Sequence, residues 1–103
     1  MSEWIRLDFE EAQIIEGITG PLLEVSGTAP YAMEEYRIQP ARVEIAPWEH
    51  WPYYPEGLKG DAAEEVLTPY TVTIDLKGDG APRSADGSIE VVGADGRTKV
   101  LHP

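Results

Sequence analysis

No cysteine occurs in this chain, and that single absence removes disulfides, thiolate metal centres and thiol nucleophiles together. A cysteine-free composition also fits a reducing compartment. Phenylalanine occurs once, so Val, Ile, Leu, Trp and Tyr have to fill the core. The two histidines, His50 and His102, are too sparse and too far apart to read as a zinc pattern. No window approaches the roughly eighteen consecutive apolar residues of a membrane-spanning helix. The opening MSEWIRLDFEE lacks the basic n-region and apolar stretch of a secretory signal. The expectation is a soluble, cytoplasmic protein with no membrane partner.

Positive charge is also scarce. Eight Lys and Arg stand against nineteen Asp and Glu, for a net charge of −11. The imbalance is steepest at the start: residues 1–35 carry eight acids against Arg6 alone, and residues 36–103 carry eleven acids against seven bases. Nucleic-acid binding draws on clustered Lys and Arg that release counterions, so no nucleic acid is expected as a partner. Net charge of this size keeps a protein soluble and favours basic partners.

Catalytic motifs are missing as well. Ser2, Ser26, Ser84 and Ser88 lie at the terminus or in turn-like contexts without a G-x-S-x-G elbow, and no phosphate loop or dinucleotide fingerprint occurs. The doublets Glu10-Glu11, Glu34-Glu35 and Glu64-Glu65 do not make catalytic carboxylate pairs, because neighbours point to opposite faces of a strand and diverge on a helix. Asp75, Asp79, Asp86 and Asp95 are oxygen ligands of the kind calcium takes, but the spacing of an EF-hand loop is absent. Asp and Gly are also what tight turns require. No cofactor or metal is expected.

What is present is alternation. In Tyr70–Lys77, Tyr70, Val72, Ile74 and Leu76 alternate with Thr71, Thr73, Asp75 and Lys77, the period-two signature of a half-buried strand. We expect this strand in or near the interior of a sheet. Trp4–Phe9 behaves similarly, with Ile5, Leu7 and Phe9 inward and Arg6 and Asp8 outward. Leu23 and Val25 alternate before a turn-like Gly27, and Val43 and Ile45 before Pro47. At the end, Ile89–Val92 and Thr98–Leu101 flank Gly93-Ala94-Asp95-Gly96, and Asp-Gly between β-branched runs predicts a hairpin. Gly78-Asp79-Gly80 and Asp86-Gly87 mark further turns.

Two short segments fit helical turns: Asp61–Glu64, which has a capping-box spacing before Pro69, and Asp8–Glu16. For the second, a strand over Gln13–Thr19 competes, because Ile14, Ile15 and Ile18 are β-branched. The pattern as a whole predicts one all-β domain over residues 1–103. Its architecture is a small antiparallel β-sandwich or partly open barrel of six to eight short strands, with at most one or two helical turns.

The densest chemistry lies in Pro47–Gly57, PWEHWPYYPEG. Trp48, Trp51, Tyr53 and Tyr54 together carry roughly 600–1,000 Å² of mostly apolar surface, at about 150–250 Å² per ring. A soluble monomer rarely leaves so large a patch bare. In a polyproline II path, or in a single helical turn opened by Pro47, Trp48 and Trp51 share an edge, and Tyr54 joins them in the first case. The leading expectation is a non-catalytic interaction or assembly domain. Trp48, His50, Trp51, Tyr53 and Tyr54 are its binding residues, and its partner is another protein or a second copy of itself. A small-ligand or carbohydrate-binding module built on the same rings is the alternative. A small enzyme using Glu49 and His50 comes last, because no nucleophile motif surrounds the pair. A connection that staples the core with its indoles accounts for the same residues without any ligand.

Overall fold

The computed structural model describes residues 2–41, 43–45, 48–76 and 88–102, with 43–45 and 48–50 as backbone alone. The expected turns at Gly78–Gly80 and Asp86-Gly87 lie outside the described residues. Among the described residues ten strands make up the regular structure: β1 (Glu3–Arg6), β2 (Glu11–Gly17), β3 (Gly20–Ala29), β4 (Glu35–Pro40), β5 (Val43–Ile45), β6 (Trp48–His50), β7 (Pro52–Lys59), β8 (Thr68–Asp75), β9 (Ile89–Val92) and β10 (Thr98–Leu101). The all-β class read from the alternation is the class observed, and among the described residues there is no helix.

Both expected helical turns give way to tertiary pairing. Residues 8–10 cross between sheets and β2 follows, so the strand reading of the isoleucine-rich segment prevails. Asp61-Ala62 forms one turn, closed by Ala63 N–H on Gly60 O at 3.2 Å. It does not extend, because Glu64 O accepts from Ala32 N–H at 3.0 Å instead of serving a helix.

A five-stranded sheet is organised around β7. β4 runs antiparallel along one edge of it, from Glu35 opposite Leu58 to Pro40 opposite Tyr53. Two strands share the other edge end to end: β1 lies antiparallel beside Glu56–Lys59, and β9 runs parallel beside Pro52 and Tyr53. β10 completes the sheet as the antiparallel partner of β9. The β7–β9 pair is the one parallel pairing among the described strands of an otherwise antiparallel fold. Gly57, Pro55 and Tyr53 point inward along β7, and Leu58, Glu56 and Tyr54 point outward.

The second sheet is three-stranded, in the order β2-β3-β8, with both pairings antiparallel. Leu23, Val25, Gly27 and Ala29 face the core from β3. The facing expected for β8 holds: Tyr70 and Leu76 are buried, Val72 and Ile74 pack against the core, and Thr71, Thr73 and Asp75 are exposed. Its expected interior position does not hold, since β8 is an edge of this sheet among the described strands. The sheets approach along both sides, β4 beside β8 and β10 beside β2, without a ladder joining them among the described residues. The result is a sandwich with the circular order of a partly open barrel.

The core between the sheets gathers Phe9, Ala12, Leu23, Val25, Ile38, Tyr53, Leu76, Ile89 and Val91. A second cluster of Leu7, Ala29 and Tyr70 extends it. Each fully buried side chain of this size contributes about 1.5–3 kcal/mol. The crossover at residues 7–10 ties the two layers. Leu7 N–H donates to Pro55 O of the first sheet at 2.9 Å, and Glu10 N–H donates to Ser26 O of the second at 2.8 Å. Between them Asp8 O accepts from the Tyr70 hydroxyl at 2.6 Å. Gly27 lies under this crossing, inside β3, and is therefore not the turn residue expected of it.

The C-terminal hairpin forms as expected. Gly96 N–H donates to Gly93 O at 3.0 Å, Gly93 N–H to Arg97 O at 2.8 Å, and Arg97 N–H to the Asp95 carboxylate at 3.0 Å. Gly96 has φ +89°, the left-handed region that side-chain-bearing residues avoid.

Candidate functional site

The aromatic segment is the return arm of one long hairpin. β5 and β6 pair with Val43 opposite His50 and Ile45 opposite Trp48. That is the same register in which β4 meets β7, Ile38 opposite Pro55 and Pro40 opposite Tyr53, and Ala41 N–H bonds Pro52 O at 3.0 Å between the two pairs. The segment is therefore extended β, not polyproline II or a helical turn. A period of two replaces the expected period of three, and the rings separate. Tyr53 has no exposed surface and is the largest fully buried side chain among the described residues, which removes it from any binding surface. Tyr54 turns to the outer face, half-buried, and Trp51 is half-buried just before β7. The side chains of Trp48, Glu49 and His50 lie outside the described residues.

The outer face of the five-stranded sheet holds the arrangement that the sequence did not reveal. Glu56, at the centre of β7, has Arg37 of β4 opposite it on one side and Arg6 of β1 opposite it on the other. Arg37 Nε donates to Glu56 Oε1 at 2.7 Å, with the Arg37 side chain 38% exposed and that of Glu56 14% exposed. Neither guanidinium stays in its own row. Arg37 reaches across β7 and sets its Cζ 3.9 Å from the centre of the Trp4 ring on β1. Arg6 reaches along β7 and sets its Cζ 3.8 Å from the centre of the Tyr54 ring. Trp4, Leu58 and Tyr54 are half-buried beneath and beside the two cations, and Glu35, Gln39 and Arg6 are exposed.

The surface is built by strand parity. Trp4 and Arg6 are two apart on β1, Tyr54, Glu56 and Leu58 alternate on β7, and Glu35, Arg37 and Gln39 alternate on β4, so all project to one side. Only the Trp4/Arg6 spacing was readable locally. The remaining partners come from residues thirty to fifty positions away and depend on which strands pair. Each guanidinium over a ring contributes about 0.5–1 kcal/mol at an exposed position, and with Glu56 and Glu35 on the same face the two arginines are balanced in charge.

On the inner side, Tyr36 and Tyr70 stack with centroids 5.3 Å apart and planes 8° from parallel. Burial, reinforced by Asp8, Glu10 and Tyr36, pushes the Tyr70 phenol well above its ordinary range. This pair holds the sheets together and presents no acid or base to solvent. The outer face can therefore stack, hydrogen-bond and pair charge, and it presents donors rather than a nucleophile. Comparison of the chain with protein-family models, with curated proteins and with solved structures finds no match.

Proposed function

We propose that this chain is a non-catalytic protein-interaction domain whose contact surface is the outer face of the five-stranded sheet. The observation that carries the reading is the pair of arginines stacked on Trp4 and Tyr54 across Glu56. Trp, Tyr and Arg are the residues over-represented at the energetic centres of protein interfaces. Here all three are held in place before any partner arrives, which lowers the ordering cost of association. Tyr54 brings the aromatic segment into this surface, although Tyr53 has gone to the core.

A carbohydrate or other flat ligand would need a bare ring to stack on. The Trp4 and Tyr54 rings are each covered by a guanidinium, which favours the protein reading over the small-ligand one. The test is site-specific photo-cross-linking in extracts of the native host. A benzophenone side chain is placed at Gln39, exposed on the candidate face, and for comparison at Thr73, exposed on the opposite face. The expected result is a discrete protein adduct from position 39, absent from position 73 and lost in Trp4→Ala. Equal adducts from both faces, or none from position 39, would overturn the proposal.

A further inference from the structure

Resting on the reading of this face as a protein contact, we infer that its partner is a second copy of this chain, and that the contact runs on along the β5–β6 ribbon. Register carries the face there. β4 and β7 set Glu35, Arg37 and Gln39 on one side together with Leu58, Glu56 and Tyr54. β5 and β6 keep that register, with Val43 opposite His50 and Ile45 opposite Trp48. Strand alternation therefore places these four residues on the continuation of the same side. Glu44 and Glu49, opposite each other, fall on the other side. Among the described strands β5 and β6 pair only with each other, and a lone two-stranded ribbon is marginal in water until something packs on it.

Charge selects the occupant. On this side of the described strands the bases are Arg6 and Arg37, and the acids are Glu35, Glu56 and Glu90. Two against three, with His50 neutral, leaves the face one negative charge of the −11 that the chain carries. A basic partner gains more on the opposite sheet, whose strands hold Glu11, Glu16, Glu24 and Asp75 and no Lys, Arg or His. A surface kept nearly neutral on so acidic a molecule suits a partner of the same sign, whose remaining charge stays at a distance. A second copy is such a partner. It brings the same near-neutral face, and a two-fold pair of identical faces closes on itself.

Area agrees. About eighteen residues lie on this side of β1, β4 to β7, β9 and β10, and spacings of about 4.8 Å between strands and about 6.7 Å along them give about 580 Å² of flat surface. Two copies then bury about 1,160 Å², past the roughly 1,000 Å² of a specific interface. Without the four ribbon residues the pair would bury about 900 Å² and fall short.

The test is sedimentation velocity on the full chain, from about 10 µM to about 1 mM, in about 0.05 M and about 0.5 M sodium chloride. The expected result is a monomer–dimer equilibrium that tightens about tenfold in the higher salt, which screens the repulsion between two acidic copies and spares the apolar contact. Attraction between unlike charges would give the opposite sign. Trp48→Ser, in the ribbon, and Gln39→Glu, exposed on the body of the face, should each raise the dissociation constant about tenfold or more. Both should leave the melting temperature of the monomer within a few degrees of the parent's, and Ile45→Ser replaces Trp48→Ser if that variant does not fold. Thr73→Gln, exposed on the opposite sheet, should change neither quantity. A chain that stays monomeric throughout overturns the inference, as does a dimer that weakens in high salt. A dimer untouched by the ribbon substitution overturns it too, by taking the ribbon out of the contact. If the chain is monomeric while the position-39 adduct forms with a protein of different mass, the contact surface stands and only the second copy falls. If that adduct is absent, the surface itself falls.

Discussion

Replacing Gly27 by Ala tests how the two sheets are joined. A Cβ built on Gly27 stands 2.8 Å from Asp8 O, 3.0 Å from Phe9 Cα and 3.2 Å from Tyr70 Cε1. The first two neighbours are backbone, so no rotamer change relieves them. The same carbonyl, Asp8 O, already accepts from the Tyr70 hydroxyl at 2.6 Å, and Phe9 is 3% exposed in the core. Moving the crossover away from β3 therefore disturbs a hydrogen bond and a packed ring at once. Overpacking of this kind costs about 1–3 kcal/mol. In a strand interior Ala is otherwise better than Gly by roughly 0.5–1 kcal/mol.

The two effects oppose each other in sign, which makes the measurement decisive. With the close approach real, roughly 2 kcal/mol of overpacking less roughly 0.75 kcal/mol of propensity, the middle of each range, leaves a net loss of about 1.25 kcal/mol, and at roughly 4–8 °C per kcal/mol for a domain near this size the melting temperature falls by about 5–10 °C. Without it, the variant gains stability. Urea unfolding followed by tryptophan fluorescence gives the free energy, and an unchanged m-value certifies that the native fold is being compared. A melting temperature at or above that of the parent protein would refute the crossover geometry.

On β8, Ile74→Ala should cost about 2 kcal/mol, the lower end for a buried large-to-small change, because Ile74 is only partly buried on an edge strand. Thr73→Ala, on the exposed side, should be near neutral, and equal melting temperatures would refute the facing. Tyr70 sets a pH dependence. Its folded phenol loses the proton at higher pH than the unfolded one, so its contribution is complete below about pH 10 and falls by about 1.4 kcal/mol per unit as pH rises beyond it. Tyr70→Phe should be less stable at pH 7 and should decline less steeply above pH 10, and parallel curves for the two proteins would refute this. Gly96→Val should destabilise the C-terminal hairpin although nothing lies within 4 Å of the new side chain, since φ +89° alone excludes a β-branched residue. Amide exchange across β9 and β10 as slow as in the parent would contradict it.

Alternation made the strands and their inward residues legible. Tyr70, Leu76, Leu23 and Val25 face the core as their spacing requires, and the Asp-Gly pair marks the hairpin because turn chemistry is local. Pairing between distant strands left no such mark. The parallel contact of β7 with β9 joins residues nearly forty positions apart, and the requirement for Gly27 arises only when residues 7–10 pass over β3. The aromatic segment was misread for a specific reason. Three prolines in eleven residues suggested a three-residue period, but Pro52 and Pro55 lie within β7 itself, and pairing with β4 imposes the period of two. Tyr53 and Tyr54 then part company, one into the core and one onto the surface.

The stacked arginines join fold and function in one device. As structure, Arg37 spans β4 to β1 across β7, and with Arg6 it contributes about 1–2 kcal/mol through two exposed cation–ring contacts. That gain offsets the rotamer entropy of two long side chains, which costs up to about 2 kcal/mol each when fully fixed. For Arg6, which is exposed, the net effect on stability is small, so it can be replaced without unfolding the sheet, whereas loss of Arg37 leaves the mostly buried Glu56 carboxylate unpaired. Their effect on binding is larger, because most of the ordering, about 0.5–1.5 kcal/mol for each rotamer-rich side chain, has been met within the free protein. A partner then meets oriented donors rather than mobile ones. Arg6→Lys separates the two roles. It keeps the charge and loses the planar fork, so it should leave the melting temperature nearly unchanged while weakening the protein adduct formed from position 39. An undiminished adduct from the lysine variant would show that charge alone, and not the stacked geometry, makes the contact.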